Sequence, residues 1–259
     1  MSRVLLGALT IGESPRADIV PVLASALPPT VDVLHAGVLD GLTRQQVNDR
    51  YAPSPGARVF ISRMADGTPV TLDAERIRAA VQDRISALEL RGCDVILLLC
   101  TGIFTGLTTS RAWLVEPDRV LPVIVAAIAQ GRRVGVVVPL AQQVGADAEK
   151  WRLLPDPPIC AAASPYAESG DALQSAAKDI RRRGGDLIVL DCIGFTEQHR
   201  DIALRAAGAP VLLSCALVAR VTAELCAAHG ARPSRQVQPI TDGTAGGHVV
   251  HADEHVHGD

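Results

Sequence analysis

Short apolar runs alternate along the chain with longer stretches in which apolar residues recur every three to four positions. The runs at 4–11, 31–38, 94–100, 133–139, 187–192 and 211–215 read as strands. The stretches at 17–27, 43–50, 72–91, 116–129, 141–153, 168–183, 197–207 and 216–228 read as helices. Ser14-Pro15 reads as the cap and first turn of the first helix. The segment 51–71 carries Pro53, Pro55, Pro69, Gly56 and Gly67, which marks it as loop, with a strand at 59–64 inside it. The segment 157–164 reads as loop or edge strand. Apolar strands alternating with helices predict an α/β protein with parallel sheets flanked by helices.

One unit recurs. Arg91-Gly92-Cys93-Asp94 and the apolar run to Cys100-Thr101-Gly102 align with Arg183-Gly184-Gly185-Asp186 and the run to Cys192-Ile193-Gly194, at a constant offset of 92 residues. Phe104 and Phe195 follow the two cysteines closely. A period that long is no solenoid unit and fits two pseudo-symmetric α/β lobes. The expected division is 1–112 plus 209–230 for the first lobe, 113–208 for the second, and a disordered, polar tail at 231–259.

Composition narrows the function. The chain has 259 residues, 48% of them hydrophobic, and a formal net charge of -3, with no basic tract, so no nucleic-acid partner is expected. No apolar run approaches the length of a membrane span, and no secretory leader is read at the N-terminus, so a cytoplasmic location is expected. Six cysteines occur without any Cys-x-x-Cys pair, so they read as free thiols rather than zinc ligands or disulfides, and no metal site is assigned. His248, His251, His255 and His257 in the tail have spacings that suit a stray transition metal, but read as a solvated tail. The dinucleotide and phosphate-loop fingerprints are missing, so no cofactor is expected. Homo-oligomerisation is left open.

Parallel sheets bind ligands beyond the carboxyl ends of their strands. Cys100 and Cys192 occupy such ends, and Gly102 and Gly194, two residues on, let the backbone turn and aim N–H groups at a ligand. If the lobes face each other, the two thiols flank one small substrate, as a two-base proton transfer requires. Asp191 is placed to steer a thiol proton or hold a substrate amine, and Thr101 to contact a carboxylate. Thr10, Gly12 and Ser14, in the loop after the first strand, are candidates for anion contact, with Ser14 also capping the helix. Arg16 could pair with a carboxylate bidentately but reads as an exposed first-turn arginine, and His199 as either an acid–base group or a capping partner. Cys93, Cys160, Cys215 and Cys226 read as structural.

From Val4 to about Ala228 the chain resembles the AroM family. The resemblance rests on Leu9-Thr10-Ile11-Gly12, Tyr51-Ala52-Pro53, Asp94 to Leu98, Glu116-Pro117, Val134-Gly135-Val136, Val138-Pro139, Lys150-Trp151, Leu190-Asp191-Cys192, Gly194-Phe195, His199-Arg200-Asp201 and Pro210 to Ser214. More broadly it is similar to the aspartate/glutamate/hydantoin racemase superfamily. That similarity implies two pseudo-symmetric lobes, paired cysteines and no cofactor. The implied activity is a racemase, epimerase or isomerase of a small carboxylate-bearing substrate, of amino-acid or hydantoin type. A single-thiol decarboxylase or lyase and a non-catalytic carboxylate-binding protein remain as alternatives. Racemases of this group carry Cys-Asn-Thr and Gly-Cys-Thr at their thiols. Here Cys100-Thr101-Gly102 and Asp191-Cys192-Ile193 stand instead.

Overall fold

A computed structural model describes residues 3–146 and 148–230. The expected tail at 231–259 lies outside the described residues. Two separate four-stranded sheets, each wholly parallel, form the frame. In the first, β2 (Val31–Gly37), β1 (Val4–Thr10), β5 (Val95–Leu99) and β6 (Trp113–Val115) lie side by side. In the second the order is β10 (Val211–Leu213), β9 (Leu187–Leu190), β7 (Val134–Val138) and β8 (Ile159–Ala162).

The period of two decides which side chain enters which core. Along β1 and β5, Leu6, Ala8, Val95, Leu97 and Leu99 face one way, into a core continuous with that of the second sheet. Leu9, Ile96 and Leu98 face the other way, against α3 (Ala74–Leu90) and the antiparallel hairpin of β3 (Val59–Arg63) and β4 (Pro69–Asp73). Both β5 and β7 are buried along their whole length, which explains their unbroken apolar sequences. The remaining helices are α1 (Val20–Ala26), α2 (Arg44–Tyr51), α4 (Pro117–Ala129), α5 (Asp171–Arg182), α6 (Glu197–Ala207) and α7 (Ser214–Gly230). The last of these starts from β10 but packs on β1, β5, α1 and α4, so it closes the first sheet.

Four local expectations change. Ser14 does not cap α1, which starts later, at Val20 after Ile19; its amide and hydroxyl both bind Asp40 instead. The helix expected from 72 starts at Ala74, because Asp73 ends a hairpin strand and caps α3 by accepting from the amides of Glu75 and Arg76. The helix expected over 141–153 is instead two single 3-10 turns, Ala141–Gln143 and Ala148–Trp151. Gly145, at φ 76, breaks the helical path between them, and the Lys150 side chain is drawn inward. The short strand β6 was not expected. It pairs with β5 because the Glu89 carboxylate gathers the amides of Ser110, Arg111 and Ala112 just before it. The sheets therefore divide the chain at other points than 112/113 and 208/209. Residues 113–115 join the first sheet and 211–213 the second.

Candidate functional site

Strands β1 and β5 end level, with Thr10 beside Leu99, and in the second sheet Val137 stands beside Leu190. The chain beyond β5 and β9 turns toward one cavity between the lobes, lined by Cys100, Thr101 and Gly102 from the first and Asp191, Cys192 and Gly194 from the second. The cysteines and glycines that the 92-residue repeat marked, Cys100, Gly102, Cys192 and Gly194, are thus brought together. As it stands the cavity measures about 30 Å³, space for a water or two.

The glycines of the repeat serve close approach. A Cβ on Gly102 would lie 2.1 Å from a ring carbon of Phe60, and one on Gly194 would lie 2.6 Å from the Tyr166 hydroxyl. Each strand-end turn is therefore covered by an aromatic ring, Phe60 from β3 on one side and Tyr166 from the second lobe on the other. The backbone N–H of Gly102 is directed to the Cys100 sulfur and that of Gly194 to the Cys192 sulfur. Burial outweighs this help. It pushes the Cys100 thiol up to about 12 and the Cys192 thiol up to about 11. A charge on Cys192 also opposes ionisation of Cys100, while at Cys192 Arg16 favours the thiolate and Asp191 and Asp18 oppose it.

A buried ion pair ties the two turns together. The Lys150 ammonium donates to Thr101 O at 2.7 Å and to the two Asp191 carboxylate oxygens at 2.7 and 2.6 Å, and its side chain is 1% exposed. The Thr101 hydroxyl in turn donates to Asp191 O at 3.1 Å. Lys150 thus holds the residue after Cys100 against the residue before Cys192. The expected roles of Asp191 and Thr101 change accordingly, since their polar groups are engaged by the protein itself.

Arg16 is the second departure. Rather than exposed, it is 4% exposed and lines the cavity. It binds Asp18 through Nε at 2.9 Å and Nη2 at 2.6 Å, and Nη2 also donates to the Tyr166 hydroxyl at 3.0 Å. Burial works against its charge, but the Asp18 hydrogen bond and the charges around it hold the guanidinium protonated. Burial also keeps the Tyr166 phenol protonated. Thr10, Gly12 and Ser14 do not line the cavity. The Thr10 hydroxyl accepts from the Gly12 amide at 3.1 Å, and a Cβ on Gly12 would sit 2.2 Å from the Ser62 hydroxyl. These three brace the loop that carries Arg16.

His199 takes its capping role. Its Nδ1 accepts from the Thr196 amide at 2.9 Å and its ring stands edge-on to Phe195. Cys215 donates to Phe195 O at 3.1 Å, away from the cavity. Sequence reasoning passed over Lys150 and Tyr166. Lys150 did carry a signal, because the chain has only two lysines, Lys150 and Lys178, among its 25 basic residues. A compact ammonium with three donors fits three converging oxygens where a planar guanidinium does not. Tyr166 lies in an irregular segment with no periodicity to mark it. Among the described residues no group of histidines, cysteines and acids is arranged to hold a metal ion, and no helix is long and apolar enough to cross a membrane.

Two parallel-sheet lobes facing across a pair of strand-end thiols define the racemase-type α/β fold, and solved structures of that type match most of the chain. An allantoin racemase from Klebsiella pneumoniae has 16% identity and a TM-score of 0.56, covering 88% of this chain and 89% of its own. A glutamate racemase from Bacillus anthracis has 11% identity and a TM-score of 0.56, covering 89% and 84%. An unliganded arylmalonate decarboxylase has 18% identity and a TM-score of 0.53, covering 88% and 94%. No curated protein matches the sequence. The chain belongs to the family described as AroM protein, whose model matches residues 6–226.

Proposed function

We propose that this protein is a cofactor-independent racemase, epimerase or isomerase of a small carboxylate-bearing substrate, with Cys100 and Cys192 as its two bases. The observation that carries the reading is the shared cavity. Two thiols from equivalent strand ends line it, each with the N–H of the glycine two residues on directed to its sulfur. One thiolate takes the α-proton from carbon, and the opposite thiol gives its proton to the other face. The product is the inverted carbon, and the negative charge has moved from one sulfur to the other. The reacting carbon must lie within about 3–3.5 Å of each sulfur.

A second reading has its own support. The two thiols are not equivalent: Cys192 has Arg16 beside it, whereas Cys100 sits on the side of Phe60. A decarboxylase or lyase using Cys192 alone needs only that asymmetry. Exchange of α-protons with deuterated water separates the two, measured for each enantiomer across amino acids, hydantoins and small carboxylates. For a two-base enzyme, Cys192→Ser and Cys100→Ser each abolish interconversion, and each retains exchange of the opposite enantiomer. One severe and one mild variant indicates the single-thiol reaction. No exchange by the unaltered protein with any substrate rejects the racemase reading.

A further inference from the structure

We propose that the cavity takes a substrate with one carboxylate and a small apolar substituent. Arg16 and Tyr166 hold the carboxylate beside Cys192, and Phe60, Ile61 and Leu99 receive the apolar group toward Cys100. The inference rests on the reading of this cavity as the substrate site, and adds the chemical class that fits it.

Two buried cations lie at the thiol-bearing turns, but only Arg16 lines the cavity, and their hydrogen bonding separates them. Lys150 has three N–H protons and three oxygen partners within 2.7 Å, and its charge is met by Asp191. It has nothing left for a ligand. Arg16 spends Nε and Nη2 on Asp18 and Tyr166, but its Nη1 has only the Ser62 hydroxyl at 3.4 Å, a long contact. Asp18 is shared as well, since Arg63 approaches it at 3.8 Å, so two guanidiniums face one carboxylate and one positive charge is left over. Both guanidiniums lie over the Tyr166 ring, at 5.8 and 5.9 Å. Because the Tyr166 oxygen accepts from Arg16, its own O–H remains to donate. An incoming carboxylate thus finds an N–H edge, an O–H and one unmatched positive charge.

The other side of the cavity offers none of this. Phe60 is buried, its ring pressed on Gly102 and tilted against Phe104 at 4.9 Å between centroids. Leu99 and Ile61 continue the apolar wall. Arg58 lies over the Phe60 ring at 5.5 Å but borders a separate surface groove. Of the charges that bear on Cys100, Asp118 opposes an anion, while Lys150 favours one but has all three N–H groups engaged, so a second anionic group on this side finds no free cation. A dicarboxylate therefore has one good seat and one bad one.

The test is protection of Cys192 from alkylation by iodoacetamide, read by peptide mass mapping at constant ionic strength. The probes are isovalerate, its neutral amide isovaleramide, and glutarate. Isovalerate is expected to protect at about tenfold lower concentration than either of the others, the size of one charge-assisted contact. Arg16→Met should lose that protection and Arg16→Lys recover part of it, while Tyr166→Phe weakens it several-fold with the ring retained. Circular dichroism of each variant confirms folding. Glutarate protecting as well as isovalerate, the amide matching the acid, or no protection by either acid overturns the proposal. Proton exchange is scored separately. Selective protection without exchange on any substrate sinks the racemase reading and leaves this inference standing. Exchange confined to dicarboxylates does the reverse.

Discussion

Replacing Lys150 by Met tests the tie between the two thiol-bearing turns. The change keeps the length of the side chain and removes the ammonium. Thr101 O and both Asp191 carboxylate oxygens then lose their donor in a place where Asp191 is only 4% exposed. Breaking a buried pair on one side costs about 3–5 kcal/mol, because a buried charge is left uncompensated. With a urea m-value of about 2–3 kcal/mol/M for a chain of this size, the midpoint falls by roughly 1–2 M. Removing both charges, as Lys150→Met with Asp191→Leu, leaves only Thr101 O without a partner, a cost of about 1–3 kcal/mol. The double variant is therefore expected to be more stable than the Lys150 single, with a coupling energy of at least about 2 kcal/mol. Urea unfolding followed by circular dichroism measures all four proteins. A single variant within about 1 kcal/mol of the parent, or a double variant whose loss is the sum of the two singles, would refute the reasoning.

Two further outcomes follow from the same site. Alanine at Gly102 or Gly194 pushes a Cβ into a covering ring and should cost about 1–3 kcal/mol in thermal unfolding, with Gly102→Ala the worse. Its neighbour is a ring carbon of buried Phe60 at 2.1 Å, whereas Gly194 meets the hydroxyl end of Tyr166 at 2.6 Å; the reverse order counts against the account of the glycines. Both thiols are neutral acids pushed upward by burial, so their thiolates form only as pH rises above the ordinary thiol range. Alkylation of Cys192 should climb about tenfold per pH unit from 7 and level near 11, ahead of Cys100, with Arg16→Met delaying it further. A plateau below pH 9 at Cys192 contradicts that electrostatic picture.

The frame was legible because the central strands are buried on both faces. Nothing polar interrupts Val95–Leu99 or Val134–Val138, so their type and parallel pairing could be read directly. The pair Cys100 and Cys192 was legible because glycine, aspartate and cysteine recur in one register. What stayed hidden depends on contacts across the lobes. Local pattern reads Arg16 as a solvent-facing first-turn residue, but α1 begins only at Val20, and Asp18, Tyr166 and Ser62 keep the side chain buried. Lys150 falls in a segment with helical composition that Gly145 and its own ion pair pull out of helix. The edge strands β6 and β10, three residues each, are too short for any periodicity to assign them to a sheet.

The last described helix also sets an order of assembly. Residues 117–213 supply α4 and all four strands of the second sheet from one continuous stretch. The first sheet is different, because Val218, Ala219 and Cys226 of α7 complete the core against Val95, Leu97 and Leu99. During translation the N-terminal sheet therefore emerges first yet waits with one face incompletely covered until α7 is made. The cavity that lies between the lobes is consequently finished only when α7 has been made, so no partly translated chain presents both thiols in working register.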